Sequence, residues 1–289
     1  MQKRVRFDFE VDFINGGGVQ GQDFRLDIPD EHITDEELAD AIIKDMRLLL
    51  VGEVRILKKE IIAEPHKREA SADYVDLSHT IHDGLVTYRG LPAPVICDYL
   101  SREESRSHYA PGTEFQIGKI EMISNTGTYV DCPFHRYADG KDLSQVPLEL
   151  FADLPGIVIR ADYREDLALT ADRFKNHEVA NRAVLVQTGW DQHWETERYF
   201  GEHPFLTADA AIYLRDSHVR LVGIDSMNID DTRGATRPVH SILLRSEILI
   251  AEHLCNLQNV PDQGFWFSAI PPKFKEVGTF PVRAYARLG

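Results

Sequence analysis

The chain has only three cysteines, and Cys97, Cys132 and Cys255 lie far apart with no C-x-x-C pair among them. That spacing argues against a disulfide framework or a cysteine-built zinc site, and a reducing, cytoplasmic setting is the expected one. Basic residues are scarce too: 32 Lys and Arg stand against 47 Asp and Glu, for a formal net charge of -15. Nucleic acids and anionic membranes need a basic face, so neither is an expected partner. No apolar run approaches the roughly 20 residues that span a bilayer. The opening MQKRVRFDFEVDF alternates in polarity and lacks the apolar core of a signal peptide. Internal repeats and low-complexity tracts are missing as well.

What is present is an ordinary globular composition. Hydrophobic residues make up 43% and charged residues 27% of 289, enough for one large domain or a domain with a small appendage.

Residues 4–13, RVRFDFEVDF, alternate polar with apolar side chains, the period of a half-buried strand. NGGG at 15–18 supplies a turn, and QDFRLDI reads as the returning strand. No Lys-Ser/Thr follows these glycines, so a hairpin turn is favoured over a phosphate loop. Thr34 and Glu37 have capping-box spacing, and Leu38, Ala41, Ile42, Met46 and Leu49 fall on one helical face. EVRILKKEII after Gly52 is a third strand, and a charged link, EPHKREASAD, follows. Residues 1–70 are thus expected to form a small α+β unit of β-β-α-β order, ahead of a second domain over 71–289.

In that second domain GIVIRAD (156–162), RAVLVQTG (182–189) and VRLVGIDS (219–226) read as buried strands. LTADAAIYLRDS between them reads as a helix capped by Thr207. HSILLRSEILIAEHL (240–254) fits a helix, although its EILIAE portion fits a strand equally well. The alternation points to an α/β fold with a mixed sheet.

Two clusters carry chemistry. The first is NTGTYVDCPFHR (125–136), where Pro133 forbids a continuing helix and holds Cys132 extended, leaving Asp131 and His135 at a strand end or loop. On its own this Asp-x-Pro-x-His spacing fits a structural Asp beside a surface His just as well. The second is His240 with Glu252, a carboxylate after the apolar ILIA that needs a partner once buried. An imidazole and two carboxylates suit a divalent metal of the zinc or manganese type, and a plain buried His–Glu pair is the competing reading. His253 is expected to point elsewhere, toward the surface. Trp190, His193, Trp194, Tyr199 and Phe200, with Trp266 and Phe267, are candidates for an apolar pocket. For His79 and His82 surface or packing roles are expected, and for Asp225 and Asp230 hydrogen-bonded turns.

Together the clusters resemble the putative-cyclase family, which includes bacterial kynurenine formamidase and isatin hydrolase. The family signature, His-x-Gly-Thr-His-x-Asp-x-Pro-x-His, aligns without a gap on NTGTYVDCPFH, keeping Gly127, Thr128, Asp131, Pro133 and His135. VDLSHTIHDGLVTY (75–88), QTGWDQHW (187–194), GIDSMNID (223–230), HSILLRSEILIAEHLCNL and GTFPVRAYA extend the likeness over residues 74–289. It implies a swivelling β/α/β fold, assembled as a homodimer or homotetramer, and a metal-assisted hydrolase of small amides, formamides or lactones. Carried over by position, it implies Asp131, His240 and Glu252 as metal ligands and His135 as general acid/base.

The departures are Asn125 and Tyr129, which stand where the family has two histidine ligands. An amide is a poor zinc ligand and a phenol with pKa near 10 ligates only a strong Lewis acid, so a single divalent ion, zinc or manganese, or none, is expected. Tyr129 then either offers its hydroxyl to a substrate oxyanion or fills the vacated space. The competing functions are a metal-independent cyclase or dehydratase working through Asp131, His135 and Tyr129, and a non-catalytic binding protein. The joint retention of Asp131, His135, His240 and Glu252 disfavours the last.

Overall fold

A computed structural model describes residues 3–28, 32–63 and 73–289. The chain divides into two compact units, Met1–Ser71 and Ala72–Gly289. The charged link at 64–72 lies outside the described residues.

In the first unit an antiparallel sheet has Lys3–Phe13 at its centre, between Gly18–Asp27 and Val51–Ala63. Alternation does the sorting: Val5, Phe7, Phe9 and Val11 are buried, and the helix Asp35–Asp45 adds Leu38 and Ile42 to the same core. The capping box forms in full, with Thr34 Oγ1 accepting the Glu37 N–H at 3.2 Å and Glu37 accepting the Thr34 N–H at 2.8 Å. Gly16 and Gly17, at φ 87° and 84°, make the hairpin turn rather than a phosphate loop. Leu49 departs from expectation: the helix stops at Asp45, and Leu49 is 81% exposed beyond it.

The second unit is built on a nine-stranded mixed sheet. Its centre is parallel, in the order Leu249–Glu252, Leu221–Ile224, Ala183–Gln187 and Leu154–Arg160. Both faces are covered, which is why these strands read as unbroken apolar runs. Ile157, Val184, Val222 and Ile250 face the side where the helices Ala208–Asp216 and Pro238–Arg245 pack, while Val158, Leu185, Leu221 and Leu249 face the other core. The mixed α/β architecture is the one the patterning predicts.

Two local readings are refined. HSILLRSEILIAEHL splits: the helix Pro238–Arg245 ends, Glu247 turns through φ 58°, and Leu249–Glu252 is a strand. Thr207 occupies the N-cap position of Ala208–Asp216, but its hydroxyl goes to the Leu169 carbonyl at 3.0 Å instead of capping the helix. Among the described residues no helix is long and apolar enough to cross a membrane.

Candidate metal centre

Strand register assembles most of the site. Tyr129–Asp131 lies antiparallel between Leu249–Glu252 and Thr279–Pro281, pairing Tyr129 with Glu252 on one side and Asp131 with Thr279 on the other. Residues directly opposite each other share a face, and so do residues two apart on one strand. Tyr129, Asp131, Glu252 and Thr279 are therefore brought to one face by pairing alone. After Asp131 the chain leaves the sheet through extended Cys132 and makes a single tight turn, Pro133–His135. That turn crosses Gly278 so closely that a Cβ there would stand 2.2 Å from the His135 nitrogen, so only glycine permits the crossing. His240 arrives on the first turn of the helix Pro238–Arg245.

The helix start is pinned by Asp230, whose carboxylate accepts the backbone N–H of Val239 at 2.8 Å and of His240 at 3.0 Å. The same carboxylate accepts the His240 Nδ1–H at 2.7 Å. This makes Nδ1 the donor to Asp230 and directs Nε2 at the carboxylates, as in a metal-ligating histidine oriented by an outer carboxylate. His240 Nε2 lies 3.6 Å from Asp131 Oδ2 and 3.7 Å from Glu252 Oε1. Asp131 Oδ2 is buried and has no hydrogen-bond partner among the described residues. Asp131, His135 and His240 each offer a donor atom within 4.8 Å of the others.

Charge at this point is tightly balanced. Burial pushes the Glu252 carboxyl up, to about 7, against the pull of His240. Asp131 carries the same burial penalty, but His135, His240 and Thr279 outweigh it and hold the carboxyl below its usual range. Burial alone would lower His240, yet Glu252, Asp131 and Asp230 raise it to about 10. Two buried carboxylates so close together require a cation between them, whether a proton on His240 or a metal ion. An orphaned carboxylate oxygen and an oriented imidazole nitrogen make the donor set fit a divalent metal.

Thr279 joins this centre to His135. Its hydroxyl donates to Asp131 Oδ1, so it accepts the His135 Nδ1–H, at 2.6 Å. His135 Nε2 has no hydrogen-bond partner among the described residues, and with its side chain 33% exposed His135 borders a cleft of about 630 Å3 together with Asn228, Arg237 and His240.

The Tyr129 hydroxyl does not face this cleft as an oxyanion donor would. The side chain is 1% exposed, and the hydroxyl donates to Glu252 Oε2 at 2.6 Å while lying 2.8 Å from the Tyr88 hydroxyl. Burial drives its phenol well above the ordinary range, so it stays a protonated donor. Asn125 is half-buried and accepts only a 3.3 Å bond from Ser124 among the described residues.

His253 corrects the expectation of a surface position. It is fully buried among Tyr88, Tyr129, Trp194 and Tyr199, with Nδ1 2.8 Å from the Tyr199 hydroxyl, because φ 56° just past the strand end breaks the alternation. The proposed aromatic pocket is corrected in part. Trp190, Trp194, Tyr199 and Phe200 do cluster, with Met227, whereas Phe267 belongs to the main core and Trp266 lies under Arg287. His79 stacks on Trp194 at 4.0 Å, and His82 pairs with Glu195 at 2.7 Å. Asp225 closes a turn by accepting the Thr188 and Gly189 N–H groups at 2.8 Å each. Three site residues escape the sequence reading: Asp230 as the orienter of His240, Thr279, and Tyr88. All three sit inside quoted motif segments, which was the only signal available.

The family described as Putative cyclase matches residues 75–231, more than half of the chain. Among curated proteins the chain is similar to the kynurenine formamidases of Bacillus cytotoxicus, 26% identical over 75% of this chain and 98% of that protein, and of Bacillus anthracis, 27% identical over the same shares. Among solved structures it is similar to isatin hydrolase A from Labrenzia aggregata, with TM-score 0.66, 21% identity, and 77% of this chain and 96% of that one covered. A structure described as a potential metal-dependent hydrolase with cyclase activity matches with TM-score 0.61, 24% identity, and 74% and 96% covered.

Proposed function

The chain belongs to the putative cyclase family, and from that premise we propose that it is a metal-assisted hydrolase cutting an amide C–N bond in a small substrate. The observation that carries the reading is the buried Asp131 Oδ2, without a hydrogen bond among the described residues, facing the oriented Nε2 of His240 at 3.6 Å. Asp131, His240 and Glu252 would hold one divalent ion, zinc or manganese by their mix of carboxylate and imidazole donors. Such an ion, when bound, supplies carbonyl polarisation and an acidified water.

The chain's own residues supply the rest. His135, held through Nδ1 by Thr279 and open to the cleft at Nε2, takes the proton from the attacking water and returns it to the leaving nitrogen. It is near enough to Asp131 and His240 to be a ligand itself, but its exposure suits proton transfer better. Asp230 keeps His240 in the ligating tautomer. Tyr129 holds Glu252 in place. The metal-independent alternative needs Tyr129 as an acid toward substrate, and its commitment to Glu252 speaks against that.

The relatives are named for a formamide of kynurenine and for isatin, so the substrate we assign is a small formamide or cyclic amide. Protein purified without chelator is the material for the test, assayed on N-formyl aromatic amides. Chelation should abolish hydrolysis and zinc or manganese should restore it. Full activity in demonstrably metal-free protein would overturn the reading.

A further inference from the structure

The cleft beside His135 and His240 runs against the charge of the rest of the chain. Acidic residues outnumber basic ones 47 to 32, yet the cleft lining holds two arginines, Arg136 and Arg237, and no carboxylate. Nearby arginines are paired: Arg233 with Asp231 at 2.9 Å and Arg245 with Asp139 at 3.0 Å. Among the described residues neither Arg136 nor Arg237 has a carboxylate within ion-pair distance.

Both guanidinium groups are nevertheless held. Arg136 donates from Nε to Ser241 Oγ at 3.2 Å. Arg237 commits only Nη1, to the carbonyls of Gly234 and Thr236 at 2.8 Å each and of Asp231 at 3.3 Å. The Nε/Nη2 edge of Arg237 is the fork that matches a carboxylate with two parallel bonds, and it has no partner among the described residues. An anchored fork loses little entropy on binding, and a cleft lined by one sign of charge concentrates the opposite sign.

We propose that Arg136 and Arg237 form a carboxylate-binding subsite in this cleft, so that the hydrolysed amide is one whose substrate carries a carboxylate beside the scissile bond. The substrate class rests on the hydrolase reading above; the anion subsite does not. Such a substrate would place its carboxylate on the arginines and its carbonyl toward His135 and His240, keeping the anion away from the repelling Asp131 and Glu252.

Benzoate and acetophenone, neither of which carries an amide or ester bond to hydrolyse, separate the two claims. Titrated into the metal-loaded full chain by calorimetry, benzoate should bind at least about tenfold more tightly than acetophenone, the scale of one charge-assisted hydrogen bond. Arg136→Gln and Arg237→Gln should each bring that ratio toward one. Arg237 also braces its loop, so Arg136→Gln, which leaves those carbonyl bonds intact, keeps the test decisive should Arg237→Gln fold poorly. Equal binding of the two probes, no benzoate binding, or a benzoate preference that survives Arg136→Gln but disappears on chelation would overturn the subsite. In a parallel assay 2-formamidobenzoate should be hydrolysed in preference to formanilide. Hydrolysis of neither, with the benzoate preference and its arginine dependence intact, would fault the hydrolase reading and leave the subsite standing.

Discussion

Tyr129 donates its phenolic hydrogen to Glu252 Oε2 across 2.6 Å, from the neighbouring strand and in direct register with it. Glu252 Oε1 accepts the Ile229 N–H at 2.6 Å, so each oxygen of this buried carboxylate is fixed by a donor of the chain. A carboxylate held at both oxygens is pre-organised for a ligand, and one freed at one oxygen is not. Tyr129→Phe removes only the hydroxyl. It should cost about 1–3 kcal/mol in denaturant unfolding, because a buried acceptor loses its short donor and keeps only the Tyr88 hydroxyl at 3.4 Å. Metal affinity should fall about tenfold or more in a competition titration, while kcat at saturating metal stays near wild type. A large loss of kcat at full metal occupancy would instead put the hydroxyl on the substrate.

Thr279 makes the second testable link, since it accepts from His135 and donates to Asp131. Thr279→Val keeps the shape and deletes both bonds. It should lower kcat by about two orders of magnitude, near the lower end for a displaced general acid/base, with KM little changed. Thr279→Ser should restore kcat. A merely structural threonine would lower melting temperature in the Val variant without lowering kcat.

How much of this was legible in the sequence depends on how local each signal was. The capping box at Thr34 and Glu37 lies within four residues, and it forms as read. The runs at 156–162 and 182–189 become buried parallel strands because nothing distant competes with their apolar pattern. Asp230 and Thr279 were harder. Asp230 lies in a turn with other acidic residues, and only the folded chain shows its carboxylate gripping the start of the next helix. Thr279 reaches Asp131 across 148 positions, through strand pairing that no local window contains. His253 misled for a local reason: period-2 reasoning sends the neighbour of an inward Glu252 outward, but a left-handed residue at φ 56° ends that rule. The aromatic run divided because Trp266 and Phe267 alternate on one strand and cannot both face one pocket.

A pH dependence of stability follows from His79, stacked on Trp194 with Nε2 buried and without a hydrogen-bond partner among the described residues. Burial, against a weak pull from Glu195, lowers its pKa to about 4. A histidine depressed when folded binds fewer protons than in the unfolded chain, so its neutral form costs nothing above about pH 6.5 and becomes destabilising as pH falls toward 4. The loss amounts to about 3 kcal/mol at most. His79→Phe keeps a ring on Trp194 and cannot titrate. Relative to the variant, the wild type should lose stability progressively between pH 6.5 and 4 in urea unfolding. A constant difference across that range would mean that His79 does not titrate this way.

Metal stoichiometry is the sharpest consequence of Asn125 and Tyr129 standing in the family's histidine positions. The Tyr129 ring is fully enclosed, and its hydroxyl is engaged by Glu252 and Tyr88, so position 129 contributes no nitrogen donor beside Asp131. Asn125 is half-buried and offers an amide, a weak ligand beside imidazole. Each chain should therefore hold no more than one tightly bound divalent ion by elemental analysis after gel filtration. Asn125→His with Tyr129→His would place two imidazoles beside Asp131, and the stoichiometry should rise toward two. Tyr129→His alone should stay at one, because a single added nitrogen with one shared carboxylate leaves a site too poor in donors to hold an ion through the column. The double variant also loses the hydroxyl that fixes Glu252, so its first ion should exchange faster unless the second one bridges through Asp131. Two ions per wild-type chain would contradict the whole reading of these positions, and one ion in the double variant would show that the backbone here no longer presents residues 125 and 129 to a common point.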